Sequence, residues 1–320
     1  MNVESLDKDL LYDVLIIGGG PAGLNAALYA KRKGLDVGLI SERSGGQIMD
    51  TSTVENYLGY TSISGIELAE EFKKHVDSLE VPTENKAVIS LNLEDTIKEV
   101  SLEDNSVYRA KSIIIATGSK PRKLGVEGEK DYSGRGVTYC AICDGPLFMD
   151  QDVIVAGGGN SAVEAVIDLA KIANSVTLVH RSQLRADKVL IDEMEKLNNV
   201  EVKLETQIVK ISGEMLMNKV DVIDKKKDES YKIKAGGLFV EIGYIPNTSL
   251  FEDLVELNDK SEIIVDKHGR TNIAGVFAAG DVTEMPYKQI VMAAGEGAKC
   301  ALAVNDYLKT LKVESLAKNK

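Results

Sequence analysis

Asp13-Val14-Leu15-Ile16-Ile17-Gly18-Gly19-Gly20-Pro21-Ala22-Gly23 sets an apolar, β-branched run directly before a glycine turn. An alanine-rich helical stretch follows at 22–33, then a second apolar run at 37–40. The pattern recurs as Asp152-Val153-Ile154-Val155-Ala156-Gly157-Gly158-Gly159-Asn160-Ser161-Ala162, with a helical stretch at 161–172 and an apolar run at 176–179. Each copy reads as a β-α-β unit opening a parallel sheet. In each, β-like runs joined by polar turns come next, at 87–93, 96–102 and 107–110, then at 202–211, 220–224 and 231–235. Each meander leads into a strand ending in glycine and then proline, at 112–121 and 237–246. The expected fold is therefore α/β, two Rossmann-like dinucleotide-binding domains, each with a β-meander. Neither copy explains the tail, Ala278-Ala279-Gly280-Asp281 after a short strand and then a long helix at about 289–308.

The composition fits this plan. The chain has 320 residues, 44% hydrophobic and 28% charged, which suits two globular domains. A net charge of −12 disfavours nucleic acid or an anionic membrane as a partner. No apolar run reaches the roughly 18 residues of a membrane span, and residues 1–11 lack the pattern of a signal peptide, so a cytoplasmic protein is expected. The run Lys225-Lys226-Lys227-Asp228-Glu229 reads as a solvated hairpin turn.

Gly18, Gly20 and Gly23 form G-x-G-x-x-G between strand and helix, which suits a pyrophosphate lying against the helix N-terminus. Glu42, at the end of the second strand, can accept hydrogen bonds from ribose hydroxyls, so this site reads as FAD or NAD. In the second copy Gly157, Gly159 and Ala162 keep the turn, while Asn160 and Ser161 open the helix. His180, Arg181 and Arg185 replace the acid, and guanidinium groups suit a 2′-phosphate, so this site reads as NADPH. Cys140-Ala141-Ile142-Cys143-Asp144 spaces two thiols for a redox disulfide, with Asp144 beside them as a proton carrier. Half of a zinc site and two inert thiols are the competing readings; zinc needs about four ligands, and only Cys300 and three distant histidines remain. Cys300, in an apolar helix face, reads as a core thiol, and His75 and His268 as exposed.

Together these motifs resemble the low-molecular-weight thioredoxin reductase family over nearly the whole chain. Gly45-Gly46-Gln47, Glu55-Asn56-Tyr57, Ala116-Thr117-Gly118, Gly280-Asp281 and Lys288-Gln289-Ile290 carry the likeness beside the cysteine hexapeptide and the two glycine turns. The resemblance implies an FAD domain built from 1–117 and 247–320, with an NAD(P)H domain at 118–246 inserted into it. It implies FAD contacts from Gln47, Asn56, Thr117, Gly118, Gly280, Asp281, Lys288, Gln289 and Ile290. It implies that Cys143 faces the flavin and Cys140 attacks the partner, thioredoxin or a thioredoxin-like protein, in a homodimer whose domains rotate across links near Ser119 and Pro246. Residues 45–51, 136–140, 144–148 and 286–290 look most like the reductase portion of the alkyl hydroperoxide reductase flavoprotein. About a dozen residues precede the first strand, so the disulfide partner is expected to be a separate protein.

One departure concerns the second nucleotide. The family pattern His-Arg-Arg-x-x-x-Arg is shortened here to His180-Arg181-Ser182-Gln183-Leu184-Arg185. A lost charged hydrogen bond costs about 1.5–3 kcal/mol. NADPH is favoured, with NADH use or a ferredoxin-dependent variant as the alternatives.

Overall fold

The computed structural model describes residues 5–51 and 53–318. The chain divides into two compact units: Met1–Ser52, Tyr57–Lys120 and Ile245–Lys320 form the first, and Thr53–Asn56 with Pro121–Tyr244 the second. It passes between them at the short strands Ser119–Pro121 and Tyr244–Pro246, which pair with each other.

The first unit is built on a parallel sheet in the order Val276–Ala278, Ile113–Ile115, Val14–Ile17, Val37–Ile40, Thr83–Glu84. Its central strands are apolar at every position because both faces are covered. Alternation of side chains divides them between two cores. Val14, Ile16 and Ile114 pack with Ala26, Ala27, Ala301 and Val304 of the helices Pro21–Arg32 and Ile290–Lys318. Leu15, Ile17, Ile113 and Ile115 pack with Val100, Leu102 and Tyr108 of the antiparallel strands Val88–Asn92, Lys98–Leu102 and Val107–Ala110. Small residues bring the two helices together; a Cβ on Gly297 would stand 1.9 Å from the Ala22 carbonyl oxygen. The terminal helix runs to Lys318, past the expected end, because no glycine or proline interrupts it after Gly297. A helix at Gly65–Asp77 lies outside the repeated pattern and is nucleated by a capping box between Ser64 and Glu67.

The second unit repeats the plan. Its parallel sheet has the order Val137–Thr138, Gly237–Val240, Asp152–Ala156, Ser175–Val179, Val200–Lys203. Val153 and Val155 face the helix Asn160–Leu169, while Ile154 and Ala156 face the antiparallel strands Thr206–Gly213, Met217–Asp224 and Glu229–Lys234. The expected single strand at 202–211 is two strands. Glu205 sits at φ 52°, and this left-handed turn sends Val200–Lys203 to the parallel sheet and Thr206 onward to the antiparallel one. The lysine run is a hairpin tip, where Asp224 pairs with Glu229 and accepts the Lys226 and Lys227 N–H groups. The fold is thus α/β with two Rossmann-like units. Among the described residues, no helix is long and apolar enough to cross a membrane.

Candidate redox site and its two nucleotide turns

In the first unit, Gly18 has φ +120°, and a Cβ there would stand 2.1 Å from the Ala116 carbonyl oxygen. Gly23 is tighter still: its Cβ would meet the Gly18 carbonyl oxygen at 1.8 Å. Helix and strand therefore close on each other with no room for a methyl group. Gly20 is open, with only the Gly46 Cα near, at 3.9 Å. It caps the helix Pro21–Arg32 with no side-chain hydrogen bond, leaving the first N–H groups to an incoming acceptor. Glu42 is exposed just past the second strand.

Several more candidates of this unit meet around Ser119. The Gln47 amide donates to Ser119 Oγ at 3.4 Å, and the Ser119 hydroxyl also bonds the Asp281 carboxylate. Burial pushes the Asp281 carboxyl up to about 6, although the Lys288 ammonium opposes the shift. Lys288 donates to the carbonyls of Asp281 (3.3 Å) and Thr283 (2.5 Å) and pairs with Glu262 at 3.0 Å, so it clamps its own loop. Gln289 and Ile290 lead from that loop into the terminal helix. Thr117 and Gly118 are held by Asn247. Thr117 Oγ1 donates to its carbonyl (2.9 Å), its amide donates to Thr117 O (2.8 Å), and its N–H donates to Gly118 O (2.9 Å). Gly280 N–H donates to the buried Glu296 carboxylate at 3.1 Å, and Lys299 pairs with that acid. Asn56 falls in Thr53–Asn56 and so belongs to the second unit, whereas Gln47 belongs to the first.

The second turn closes differently. Gly157 has no positive φ, and its missing Cβ would lie 2.2 Å from the Glu241 carbonyl oxygen and 2.6 Å from the Ala162 methyl, which stands where the first turn has Gly23. A Cβ on Gly159 would meet nothing within 4 Å, and the helix Asn160–Leu169 again starts without a side-chain cap. Asn160 is engaged with Asp187, donating to its carboxylate and accepting its N–H, both at 2.8 Å; Ser161 is exposed. His180 is buried with its ring against Gly158, and burial together with Arg185 and Arg181 lowers its pKa. It is neutral at pH 7, while the two arginines are exposed. These turns, open at the second glycine and uncapped, suit pyrophosphates.

Cys140 and Cys143 form a disulfide with 5.3 Å between Cα atoms. Cys140 precedes the short helix Ala141–Asp144, and its Sγ accepts the Cys143 N–H at 3.2 Å. The segment before it is pinned: the Tyr244 hydroxyl donates to Tyr139 O at 2.7 Å, and the Tyr139 hydroxyl reaches buried Glu129 at 3.1 Å. Thr138 donates its hydroxyl to Asp144 Oδ2, while Oδ1 is buried with no hydrogen-bond partner. Burial raises the Asp144 pKa, which favours the protonated acid. Glu241 lies on the other side of the pair in sequence, accepting the Ala141 N–H at 3.1 Å. Cys300 is fully buried in the first unit, donates toward Ala278 O at 3.2 Å and is pushed up to about 12 by burial, so it carries no thiolate at pH 7. His75 and His268 are exposed.

Sequence reading passed over Asn247, Glu296, Glu241 and Glu129. Two of them carry a visible signal, a lone acid among small or apolar neighbours: Gly295-Glu296-Gly297 and Val240-Glu241-Ile242.

Residues 12–297 match the sequence pattern of the pyridine nucleotide-disulphide oxidoreductases. The chain is 45% identical over 311 residues to an alkyl hydroperoxide reductase subunit of Escherichia coli strain K12, covering 95% of this chain and 60% of that protein. It is 44% identical over 318 residues to a protein of Ferdinandcohnia aciditolerans named NADH dehydrogenase, covering 98% of this chain and 61% of the other. It therefore spans about 60% of the length of these curated relatives. The crystal structure of thioredoxin reductase from Streptococcus pyogenes MGAS5005 matches with a TM-score of 0.89 at 42% identity, covering 94% of this chain and 99% of that one. With two Rossmann-like nucleotide folds and a cysteine pair joined as a disulfide, the chain belongs to the pyridine nucleotide-disulphide oxidoreductase family, oxidoreductases that work with a flavin and a pyridine nucleotide.

Proposed function

We propose that this chain carries two electrons from NADPH by way of FAD to the Cys140–Cys143 disulfide, and from there to the disulfide of thioredoxin or a thioredoxin-like protein. The observation that carries the reading is the disulfide itself, followed directly by an acid whose Oδ1 is buried with no hydrogen-bond partner. The turn at Gly18, Gly20 and Gly23, with Glu42, Gln47, Thr117, Gly118, Gly280 and Asp281, would hold FAD; Lys288 shapes its loop. Gly157, Gly159 and the start of the helix at Asn160 would hold the NADPH pyrophosphate. Arg181 and Arg185 bring charge to the 2′-phosphate, and neutral His180 supports the turn. Bound in the first unit, FAD supplies a two-electron relay between nicotinamide and disulfide.

The chain's own groups do the rest. Two electrons and one proton break the S–S bond and leave a thiol on Cys143 and a thiolate on Cys140, where the Cys143 N–H already points at the sulfur. That thiolate attacks a partner sulfur and displaces the other as a thiolate, to which Asp144 gives its proton. Cys143 passes its proton to the Asp144 carboxylate and attacks Cys140, reforming the internal disulfide and releasing the second partner sulfur as a thiolate. The protein is a cytoplasmic homodimer in this reading. A peroxidase-system partner with NADH as donor is the second reading. It is favoured by the missing second arginine and by the 45% identity to the alkyl hydroperoxide reductase protein of Escherichia coli.

Anaerobic bleaching of the flavin by NADPH, NADH and reduced ferredoxin in parallel, each followed by oxidised thioredoxin, tests the proposal. Fastest bleaching by NADPH and reoxidation by thioredoxin are expected. Cys143→Ser keeps a reducible flavin and loses all thioredoxin turnover; normal turnover in that variant overturns the reading.

A further inference from the structure

The proposed chemistry leaves one half-buried acid, bonded to the residue after Cys140, without a task. Glu241 follows the strand Gly237–Val240, and its backbone is fixed on two sides. Its N–H donates to Ala156 O at 2.8 Å, and its carbonyl oxygen stands 2.2 Å from the position a Cβ on Gly157 would take. Only the side chain is free to choose a partner, and it reaches the Ala141 N–H at 3.1 Å. The carboxyl is thereby anchored one peptide unit from Cys140, on a segment that Tyr244 and Glu129 also hold. Glutamine would accept the same N–H without the cost of burying a charge, so the hydrogen bond alone does not account for an acid here.

Ala141, whose N–H Glu241 accepts, opens the short helix that carries Cys143 and Asp144 and directly follows Cys140, while the Arg122 side chain lies by Gly243, two residues on from Glu241. The glycine turn packed on its backbone carries no titratable group, and His180 behind Gly158 is neutral. Burial pushes the carboxyl up to about 7, opposed by the Ala141 N–H.

Resting on the reading of Cys140–Cys143 as the working disulfide, we propose that Glu241 is a positioning residue of the redox pair that takes up the second proton when the pair is reduced. Reduction by a two-electron donor breaks the S–S bond. Cys143 takes one proton and becomes a thiol, while Cys140 remains a thiolate. A second proton from solvent neutralises the Glu241 carboxylate, whose charge would otherwise face the new thiolate. When a partner disulfide reoxidises the pair, both protons leave. The couple then exchanges two protons per two electrons just above pH 7, where a thiol–thiolate product by itself exchanges one.

The test equilibrates the flavin-loaded protein with oxidised and reduced dithiothreitol from pH 6 to 9 and counts free thiols by alkylation and mass. Wild type should show two protons per two electrons between pH 7 and 8, and E241Q one. Identical proton counts in E241Q and wild type overturn the proposal, since glutamine preserves the Ala141 contact. Should E241Q fail to bind flavin, a wild-type count of one proton in that interval overturns it equally. Dithiothreitol needs no nicotinamide site, so a pair that it reduces and NADPH does not would indict the functional reading alone.

Discussion

The glycine turns at 18–23 and 157–162 look interchangeable in sequence, yet the structure separates them. In the first, Gly18 is left-handed and Gly23 lies against its carbonyl, so the turn is sterically saturated. In the second, Gly157 leaves the left-handed region and is hemmed in by the Glu241 carbonyl, while Ala162 stands where the first turn has Gly23. The residues beyond the second strand of each copy differ as well: exposed Glu42 in one, exposed Arg181 and Arg185 in the other. In the proposed reading, the shared motif holds a pyrophosphate in each unit, and the end of the second strand selects the nucleotide.

Substitutions can break this comparison. Gly23→Ala should have the largest effect, because its methyl would lie 1.8 Å from backbone that cannot swing away. Loss of bound flavin absorbance and a destabilisation of about 1–3 kcal/mol are expected in thermal unfolding. The mirror change, Ala162→Gly, should cost only about 1 kcal/mol and leave the flavin in place. Equal damage from both would erase the distinction between the turns.

A tenfold or larger effect is expected from the basic end of the second turn. Arg181→Ala and Arg185→Ala should each raise KM for NADPH about 10- to 100-fold and leave KM for NADH unchanged, each charged contact being worth about 1.5–3 kcal/mol. Steady-state kinetics with both nucleotides decide this. A parallel rise for NADH would move the arginines from the 2′-phosphate to the shared part of the nucleotide.

A smaller effect concerns pH, and it appears in both units. Burial raises Glu241 from 4.5 to about 7 and Asp281 from 3.8 to about 6. Each acid is thus preferentially protonated in the folded chain. The resulting stability is fully present below the unfolded pKa and is lost as pH rises to the folded one. Glu241→Gln should therefore gain several degrees in melting temperature over wild type as pH climbs from about 4.5 to 7, and Asp281→Asn over the lower window from about 3.8 to 6. Melting curves of the flavin-free chains at stepped pH would show two separate windows.

The smallest change belongs to the third cysteine. Cys300→Ala should leave turnover unaltered and cost about 1 kcal/mol for the small cavity it opens. Iodoacetamide should not label Cys300 in the folded protein.

The repeat and the strand ends were legible because glycine spacing and runs such as Leu15-Ile16-Ile17 report local backbone needs. The cysteine pair was legible for the same reason. Glu205 was not, since a single left-handed residue between two β-like runs has no side-chain signature when it is neither glycine nor asparagine. Asn247 was hidden, and the partner of Glu241 with it, because the bonded residues are far apart along the chain, Thr117 being 130 residues from Asn247 and Ala141 100 from Glu241. A polar residue looks solvated in sequence until folding shows which backbone N–H it satisfies.

The three hydrogen bonds of Asn247 to Thr117 and Gly118 have a topological consequence. They join the chain where it leaves the first unit to the chain where it returns, so residues 118–247 form a loop closed at its neck. Closure entropy grows only logarithmically, about 0.6 kcal/mol for each doubling of length. The first unit thus tolerates a whole nucleotide fold, or in its place a short turn, between the same two stapled ends.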